Sequence, residues 1–172
     1  MVLVFRFIFS VLRALFRARV GLLDTSHLRF VALPTDCDLN LHMNAGRYVS
    51  FMDLGRVEFI ARTGSMLAMI RRKWRPIAGG SILKYRKSVM PFERFSLRSR
   101  IVCWDEKWFY FEHVIENSRG ELCASGTMRA LLRGPKGSIP TREALAVIGM
   151  HDEPSPPMPP YVAKWNEAEA LR

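Results

Sequence analysis

The sequence lacks the cysteine pattern that a disulfide framework or a zinc site would need. It contains three cysteines, Cys37, Cys103 and Cys123, and no Cys-x-x-Cys pair. An odd count without such a pair argues against both uses, so the sequence predicts no metal site. Reduced thiols are typical of a cytoplasmic protein, and we therefore expect a cytoplasmic location.

The chain also lacks an uninterrupted hydrophobic run long enough to span a membrane. Residues 1–16 are rich in Leu, Val, Ile and Phe, but three arginines fall within the first seventeen positions. A spanning helix needs about twenty apolar residues. A signal peptide is a poor match as well, because no charge precedes the apolar run and no small-x-small cleavage site follows it.

Four residues interrupt this run at helical spacings of four, three and four: Arg6, Ser10, Arg13 and Arg17. They share one face of a helix, which predicts an amphipathic basic helix over residues 1–22. Two roles stay open for it. One is a peripheral membrane contact through residues 1–19, with the arginines toward headgroups and Phe and Leu toward acyl chains. The other is packing on the body of the protein or on a partner subunit.

Acidic residues are scarce relative to basic ones. The chain has 26 Lys and Arg against 16 Asp and Glu, a formal net charge of +10, and no acid among its first twenty residues. Such a balance indicates an anionic partner: nucleic acid, a phosphate-bearing cofactor or a membrane surface. Nucleic acid is the least favoured, because no helix-turn-helix, zinc-finger or RNP pattern is present.

The body of the chain changes from helical to strand periodicity. Helical patterns cover residues 48–63, 65–73 and 141–148, and strand-like patterns cover residues 26–33, 77–85, 92–104, 108–117 and 122–133. This order predicts an α+β fold, in which one long helix packs on an antiparallel sheet. We assign residues 23–150 to this domain and residues 151–172 to a Pro-rich tail that lies extended on the surface.

Local signals add further structural predictions. Asn44 stands where it can cap the long helix, and Ser65 where it can cap the short one. Gly55 costs roughly 1 kcal/mol of helix propensity against alanine, which a close backbone approach to the sheet would explain. Gly79-Gly80 inside a strand predicts a bulge.

A polar connection, residues 36–47, joins the first strand to the long helix. Within nine positions it holds two carboxylates, two amides and an imidazole, from Asp36, Asp38, Asn40, His42 and Asn44. Loops held between rigid elements are common sites of chemistry, so we expect the functional site here, with Asp36 fixing the loop backbone.

This loop and this order of elements resemble the hotdog-fold acyl-CoA thioesterases of the 4-hydroxybenzoyl-CoA thioesterase type. The family's loop reads roughly Asp-x-Asp-x-x-Gly-His-x-Asn-Asn-x-x-Tyr, which five residues match in spacing: Asp36, Asp38, His42, Asn44 and Tyr48. Leu41 stands where the family usually has glycine, and Ala45 where it often has the second asparagine. Over about residues 25–165 the chain is similar to the branch that contains thioesterase superfamily member six.

The resemblance implies hydrolysis of an acyl-CoA thioester. Asp38 would act as general base or as nucleophile, and the helix N-terminus at Asn44 would polarise the carbonyl. His42 completes the candidate catalytic set of Asp38, His42 and Asn44, although a structural hydrogen bond is its favoured role. An Asx turn is the structural alternative for Asp38.

Two rival functions remain open at this stage. Leu41 and Ala45 motivate a non-catalytic hotdog protein that binds acyl-CoA or lipid at a membrane surface. A hotdog dehydratase that pairs His42 with Asp38 is a minor alternative.

Basic residues cluster over residues 71–87 without an acid among them. Coenzyme A carries a diphosphate and a 3′-phosphate, which such a cluster suits. The candidate substrate-binding residues are Tyr48, Arg71, Arg72, Lys84, Arg86 and Lys87. A solvated basic face or a second membrane contact is the alternative role of this cluster.

The resemblance also implies a homodimer or tetramer, because subunits of this family join their sheets and form the site at the interface. Coenzyme A belongs to the substrate, so no separate cofactor is predicted. The apolar content and the possible membrane contact favour a medium- or long-chain acyl group.

Overall fold

The computed structural model describes residues 2–151 and 153–171. The helices are α1 (Val2–Leu15), α2 (Ala45–Arg62), α3 (Ser65–Arg71), α4 (Thr141–Ala146) and α5 (Pro160–Ala170). The strands are β1 (Ser26–Val31), β2 (Arg75–Tyr85), β3 (Arg94–Trp104), β4 (Phe109–Asn117), β5 (Leu122–Gly134) and β6 (Gly137–Ile139). A 3-10 turn at Pro34–Asp36 leads into the polar connection.

The described strands form one antiparallel sheet in the order β1-β3-β4-β5-β2, and β6 pairs with the end of β5. The long helix α2 packs on one face of this sheet. The predicted α+β arrangement is therefore confirmed. The register of β2 against β5 shifts between Ala78 and Gly80, which confirms the predicted bulge.

Two residues whose roles are predicted from the sequence, Asn44 and Gly55, position helix α2. The Asn44 side chain caps the helix by accepting a hydrogen bond from the Gly46 N–H at 2.9 Å. A Cβ atom at Gly55 would overlap Ser99 Oγ and lie 2.7 Å from a methyl group of Leu97, both on β3. The helix backbone thus lies directly on the sheet, and the Asn44 and Gly55 predictions are confirmed.

The short helix begins differently from the prediction. Gly64, at φ +82°, occupies the N-cap position of α3, and Ser65 is the first helical residue. The predicted cap at Ser65 is therefore wrong. Its hydroxyl instead lies 2.8 Å from that of Thr63.

Helix α1 packs against α2 and β1 with the reverse of the predicted orientation. Arg6 forms an ion pair with Asp36 at 2.7 Å, and Arg17 forms one with Glu58 at 3.0 Å. The two carboxylates are almost fully buried, at 2% and 1% exposure, so the arginine face is drawn toward the domain. The predicted orientation toward headgroups is therefore wrong for Arg6 and Arg17, although Arg13 is exposed, and packing of the helix on the body is confirmed.

The predicted N-terminal helix was also too long. It ends at Leu15 instead of residue 22, and residue 1 lies outside the described part of the chain. Within residues 2–151 and 153–171, no helix is long and apolar enough to cross a membrane.

The C-terminal segment contains a helix that the sequence analysis missed. Residues 153–159 have no regular structure, but α5 begins at Pro160, where a proline needs no N–H partner. Helix α5 lies on the sheet face opposite α2. There the Arg129 guanidinium lies between the rings of Trp108 and Trp165, at 4.9 Å and 5.1 Å from their centroids.

Candidate active site

Asp36 fixes the backbone of the polar connection, as predicted. Its carboxylate accepts a hydrogen bond from the Leu33 N–H at 2.9 Å and pairs with Arg6. Its carbonyl oxygen accepts a hydrogen bond from the Asn44 N–H, also at 2.9 Å. One buried residue therefore ties the end of β1, helix α1 and the N-cap of α2 together.

Residues 37–43 form a narrow turn that projects from this anchor. Cys37 and Met43 make an antiparallel bridge, and the Asp38 N–H donates to the His42 carbonyl at 3.0 Å. Leu41 lies near the tip in the left-handed region, at φ +57°. Left-handed backbone costs an L-residue roughly 1–2 kcal/mol, which explains why glycine suits this position. Leucine keeps that backbone shape at a cost in strain.

The Asp38 side chain is half-buried and forms the Asx turn that was its structural alternative. Its Oδ1 accepts a hydrogen bond from the Asn40 N–H at 2.9 Å and lies 3.6 Å from His42 Nδ1. Among the hydrogen bonds of the described residues, none involves Oδ2. This second oxygen is therefore available to a water molecule or a substrate.

His42 and Cys37 flank Asp38 with different chemical properties. The 3.6 Å separation between His42 and Asp38 is longer than a hydrogen bond, and the imidazole is half-exposed. Burial, together with the carboxylates of Asp36 and Asp38, raises the pKa of the Cys37 thiol. Cys37 therefore stays protonated near neutral pH, which makes it a poor nucleophile.

The N-terminus of α2 follows this turn directly. Asn44 accepts the Gly46 N–H with its side chain and the Arg47 N–H with its carbonyl, at 2.9 Å and 2.8 Å. Among the described residues, the Ala45 N–H has no acceptor, as is common in the first turn of a helix. The helix dipole adds a partial positive charge at the same end. The turn and the helix together offer a carboxylate beside an electropositive backbone, which is the combination that acyl transfer requires.

Tyr48 lies in the core and not on the substrate surface that the sequence analysis assigned to it. Its hydroxyl accepts a hydrogen bond from the Val89 N–H at 3.2 Å and donates to the Lys87 carbonyl at 3.5 Å. Burial raises the pKa of Tyr48 to about 12. We therefore correct its role to a structural one: it holds the segment after β2 against α2.

The predicted basic cluster is divided in two within one chain. Arg71 and Arg72 lie at the end of α3, before β2 begins, whereas Lys84, Arg86 and Lys87 lie at the other end of that strand. The eleven residues of β2 separate the two groups by roughly 30 Å. The prediction that these residues form a single basic cluster within one chain is therefore wrong, although all five side chains are exposed.

The second basic group lies beside the candidate active site. The Tyr85 hydroxyl donates to the Ala45 carbonyl at 3.3 Å, which joins the end of β2 to the start of α2. Lys87 forms an ion pair with Glu121. Lys84 and Arg86 form no ion pair with any described residue.

An apolar cavity lies at the opposite end of α2. It has a volume of about 60 Å³ and is partly open to solvent. It is lined by side chains of α2, α3, α4 and the sheet, including Phe59, Met69, Trp74, Ile101, Phe111 and Leu145. Since α2 is roughly 27 Å long, the cavity and Asp38 of the same chain are far apart.

Two features of the site were missed from the sequence. Arg6 is thirty residues from Asp36, and no local pattern connects them. Tyr85 lies in β2, and the composition of this strand gives no sign that one of its residues contacts the start of α2. A helical pattern with arginine on one face was the only signal available for Arg6, and it left the helix's orientation open.

The elements and their order define a hotdog fold, with a sheet wrapped around a long central helix. The chain belongs to the thioesterase-like superfamily, whose family model matches residues 32–166. The fold is also that of a DHNA-CoA thioesterase from Staphylococcus aureus. Its crystal structure matches 86% of this chain and 89% of its own, with a TM-score of 0.64 and 17% identity.

Two relatives are similar in sequence. The probable thioesterase YBR096W of Saccharomyces cerevisiae is 26% identical over 135 residues, which cover 77% of this chain and 59% of the relative. Protein THEM6 of Danio rerio is 40% identical over 106 residues, which cover 60% of this chain and 52% of the relative. The matched part thus spans little more than half the length of these relatives.

Proposed function

We propose that this protein hydrolyses acyl-CoA thioesters to a free acid and coenzyme A. The observation that supports this most directly is the turn at residues 37–43. It carries Asp38, with one carboxylate oxygen unengaged, next to the capped N-terminus of α2. Membership of the thioesterase-like superfamily supports the same chemistry.

Asp38 provides the oxygen chemistry in this proposal. As general base it takes a proton from a water that attacks the thioester carbonyl; as nucleophile it forms a mixed anhydride that water then cleaves. In both routes negative charge develops on the carbonyl oxygen, and the C–S bond breaks to release the thiolate of coenzyme A. The Ala45 N–H and the helix dipole at the start of α2 stabilise that charge, and one such donor contributes about 3 kcal/mol.

A second subunit completes the site. Strand β2 is an edge of the sheet, and every one of its residues is exposed or half-buried. Unpaired edges are ready to pair with another strand. Two β2 strands that pair antiparallel about a two-fold axis bring the start of one beside the end of the other. Arg71 and Arg72 of one chain then join Lys84 and Arg86 of the other around the phosphates of coenzyme A.

The same pairing accounts for the acyl group. The apolar cavity lies near Trp74 and Pro76, at the start of β2. In the dimer it faces the end of β2 in the other chain, beside that chain's Asp38 turn. The almost entirely apolar lining is the feature that favours a medium- or long-chain acyl group.

The reaction is tested by thiol release from acyl-CoAs of two to eighteen carbons and from benzoyl-CoA. We expect hydrolysis by the native protein and a loss of at least about a hundredfold in kcat for Asp38→Asn. Asp24→Asn is the matched control, since Asp24 is also a loop aspartate that accepts a backbone N–H. Equal activity of all three proteins would contradict the role of Asp38.

The interface is tested by mixing two defective variants. Asp38→Asn removes the carboxylate, and the double variant Arg71→Ala/Arg72→Ala removes cations that we assign to the opposite subunit. After subunit exchange, about a quarter of the sites should carry neither defect in a two-fold dimer. Activity should therefore rise above that of either variant alone. No recovery in a mixture of proven heterodimers would contradict the shared site.

Non-catalytic binding of acyl-CoA is the alternative outcome of the first test. It would require a folded protein that binds acyl-CoA but releases no thiol from any substrate. Leu41 is then the residue to change first, because Leu41→Gly relieves the left-handed strain and removes an exposed side chain beside Asp38.

A further inference from the structure

The outer face of α1 is a stripe of large apolar side chains that no described residue covers. Four of them recur at helical spacing on the side opposite Ser10 and Ala14, namely Phe5, Ile8, Phe9 and Leu12. Phe16, in the turn that follows the helix, is also exposed and is counted with this stripe. Ser10 and Ala14 are buried against the domain. This helix therefore exposes its apolar face and buries its polar one, the reverse of an ordinary surface helix.

The exposed area is large. Phe5, Phe9 and Phe16 are 69%, 64% and 90% exposed, which amounts to roughly 450 Å² at about 200 Å² for a whole phenylalanine. The largest apolar patch on a typical monomer is roughly 300–600 Å², and such patches are often functional. Two side chains of α1 and one in the turn after it therefore already reach that size.

The ion pairs beneath α1 hold it in this orientation. Arg6 and Arg17 are bound to Asp36 and Glu58, which are buried carboxylates. Arg6 also donates to the Val31 carbonyl at 2.9 Å. A rotation of the helix that buried the apolar stripe would leave both carboxylates without these partners. The stripe must therefore be covered from outside the chain.

The charge of the nearby residues indicates which partner covers the apolar stripe. Arg13 and Arg19 are exposed, and the first twenty residues contain no acid. A second copy of α1 packed against the first would bring like charges together. An anionic lipid surface instead accepts the apolar side chains among its acyl chains and attracts the flanking arginines.

We propose that α1 is a membrane-docking helix that lies on an anionic lipid surface through Phe5, Ile8, Phe9 and Leu12, together with Phe16 of the turn that follows, while Arg6 and Arg17 stay bound to the domain. The polar face of α1 is therefore bound by the protein itself. Only the flanking arginines, Arg13 and Arg19, meet headgroups.

The test is co-sedimentation of the full chain with vesicles of phosphatidylcholine, alone or with about a third phosphatidylglycerol. We expect binding to the anionic vesicles, and at least about a tenfold loss of affinity for the triple variant Phe9→Ser/Leu12→Ser/Phe16→Ser. The matched control is Leu171→Ser, an exposed leucine on the other side of the sheet. This control should bind as the native protein does.

Further measurements separate this proposal from its alternatives. The double variant Arg13→Gln/Arg19→Gln should show a weaker preference for anionic vesicles. The binding that persists at high salt should remain, because it depends on the apolar side chains. Hydrolysis of a soluble short-chain acyl-CoA should be unchanged in the triple variant. Native protein that does not sediment with vesicles, or a triple variant that binds like it, would overturn the proposal. So would a triple variant that loses self-association and not vesicle binding, which would make the stripe a contact between copies.

Discussion

The ion pair between Arg6 and Asp36 should be a major source of stability. Arg6→Gln removes a charged hydrogen bond to a carboxylate that is 2% exposed and a second hydrogen bond to the Val31 carbonyl. Removal of one partner from a buried pair typically costs about 3–5 kcal/mol. Asp36 keeps the Leu33 N–H and the Arg47 guanidinium at 3.9 Å, and Arg6 is itself partly exposed. We therefore expect a loss at the low end of this range, about 3 kcal/mol.

Urea denaturation measures this loss directly, and α1 supplies its own control. Arg13→Gln changes the same residue type on the same helix, but Arg13 forms no ion pair with a described residue, so its cost should stay within about 0.5 kcal/mol. The double variant Arg6→Gln/Asp36→Asn should lose less than the sum of the single changes, since it also removes the stranded charge. A loss for Arg6→Gln no larger than that for Arg13→Gln would refute this account of α1.

Two further predictions concern the helix–sheet contact. Gly55→Ala should lower the free energy of unfolding by about 1–3 kcal/mol despite its better helix propensity, because the new methyl group overlaps Ser99 and Leu97; a thermal melt that shows stabilisation would contradict it. His113 is fully buried, and burial together with the Arg56 charge lowers its pKa from 6.5 to about 3. The unfolded chain therefore binds a proton that the folded one does not, and stability should fall by up to about 1.4 kcal/mol per pH unit as the pH drops below about 6.5. Urea melts between pH 7 and pH 5 should show a steeper loss for the native protein than for His113→Gln, and equal slopes would contradict the assignment.

The fold was predictable because its signals are local. The alternation of apolar and polar residues predicts the strands. Asn44 indicates where α2 begins, and Gly55 indicates where this helix contacts the sheet. The C-terminal helix is not predicted from the sequence, because a run of prolines such as residues 154–160 favours an extended chain. Pro160 instead occupies the first helical position, which prolines favour.

The orientation of α1 and the arrangement of the basic residues were not predictable in the same way. Periodicity shows which residues share a helix face, but the partners that decide which face turns inward, Asp36 and Glu58, are distant in sequence. The cluster over residues 71–87 was divided because an intervening strand separates its two halves by its own length. Both errors concern contacts between elements, which composition and spacing do not contain.

The placement of α5 limits how subunits can stack. A bare sheet face is a surface on which a second sheet can lie, and here the chain closes it with its own last helix, held by Arg129 between two indole rings and by the ion pair to Glu169. Growth of an assembly by back-to-back layering of sheets is blocked where α5 lies. The C-terminal helix therefore covers part of the outer sheet face and leaves the edge at β2 exposed.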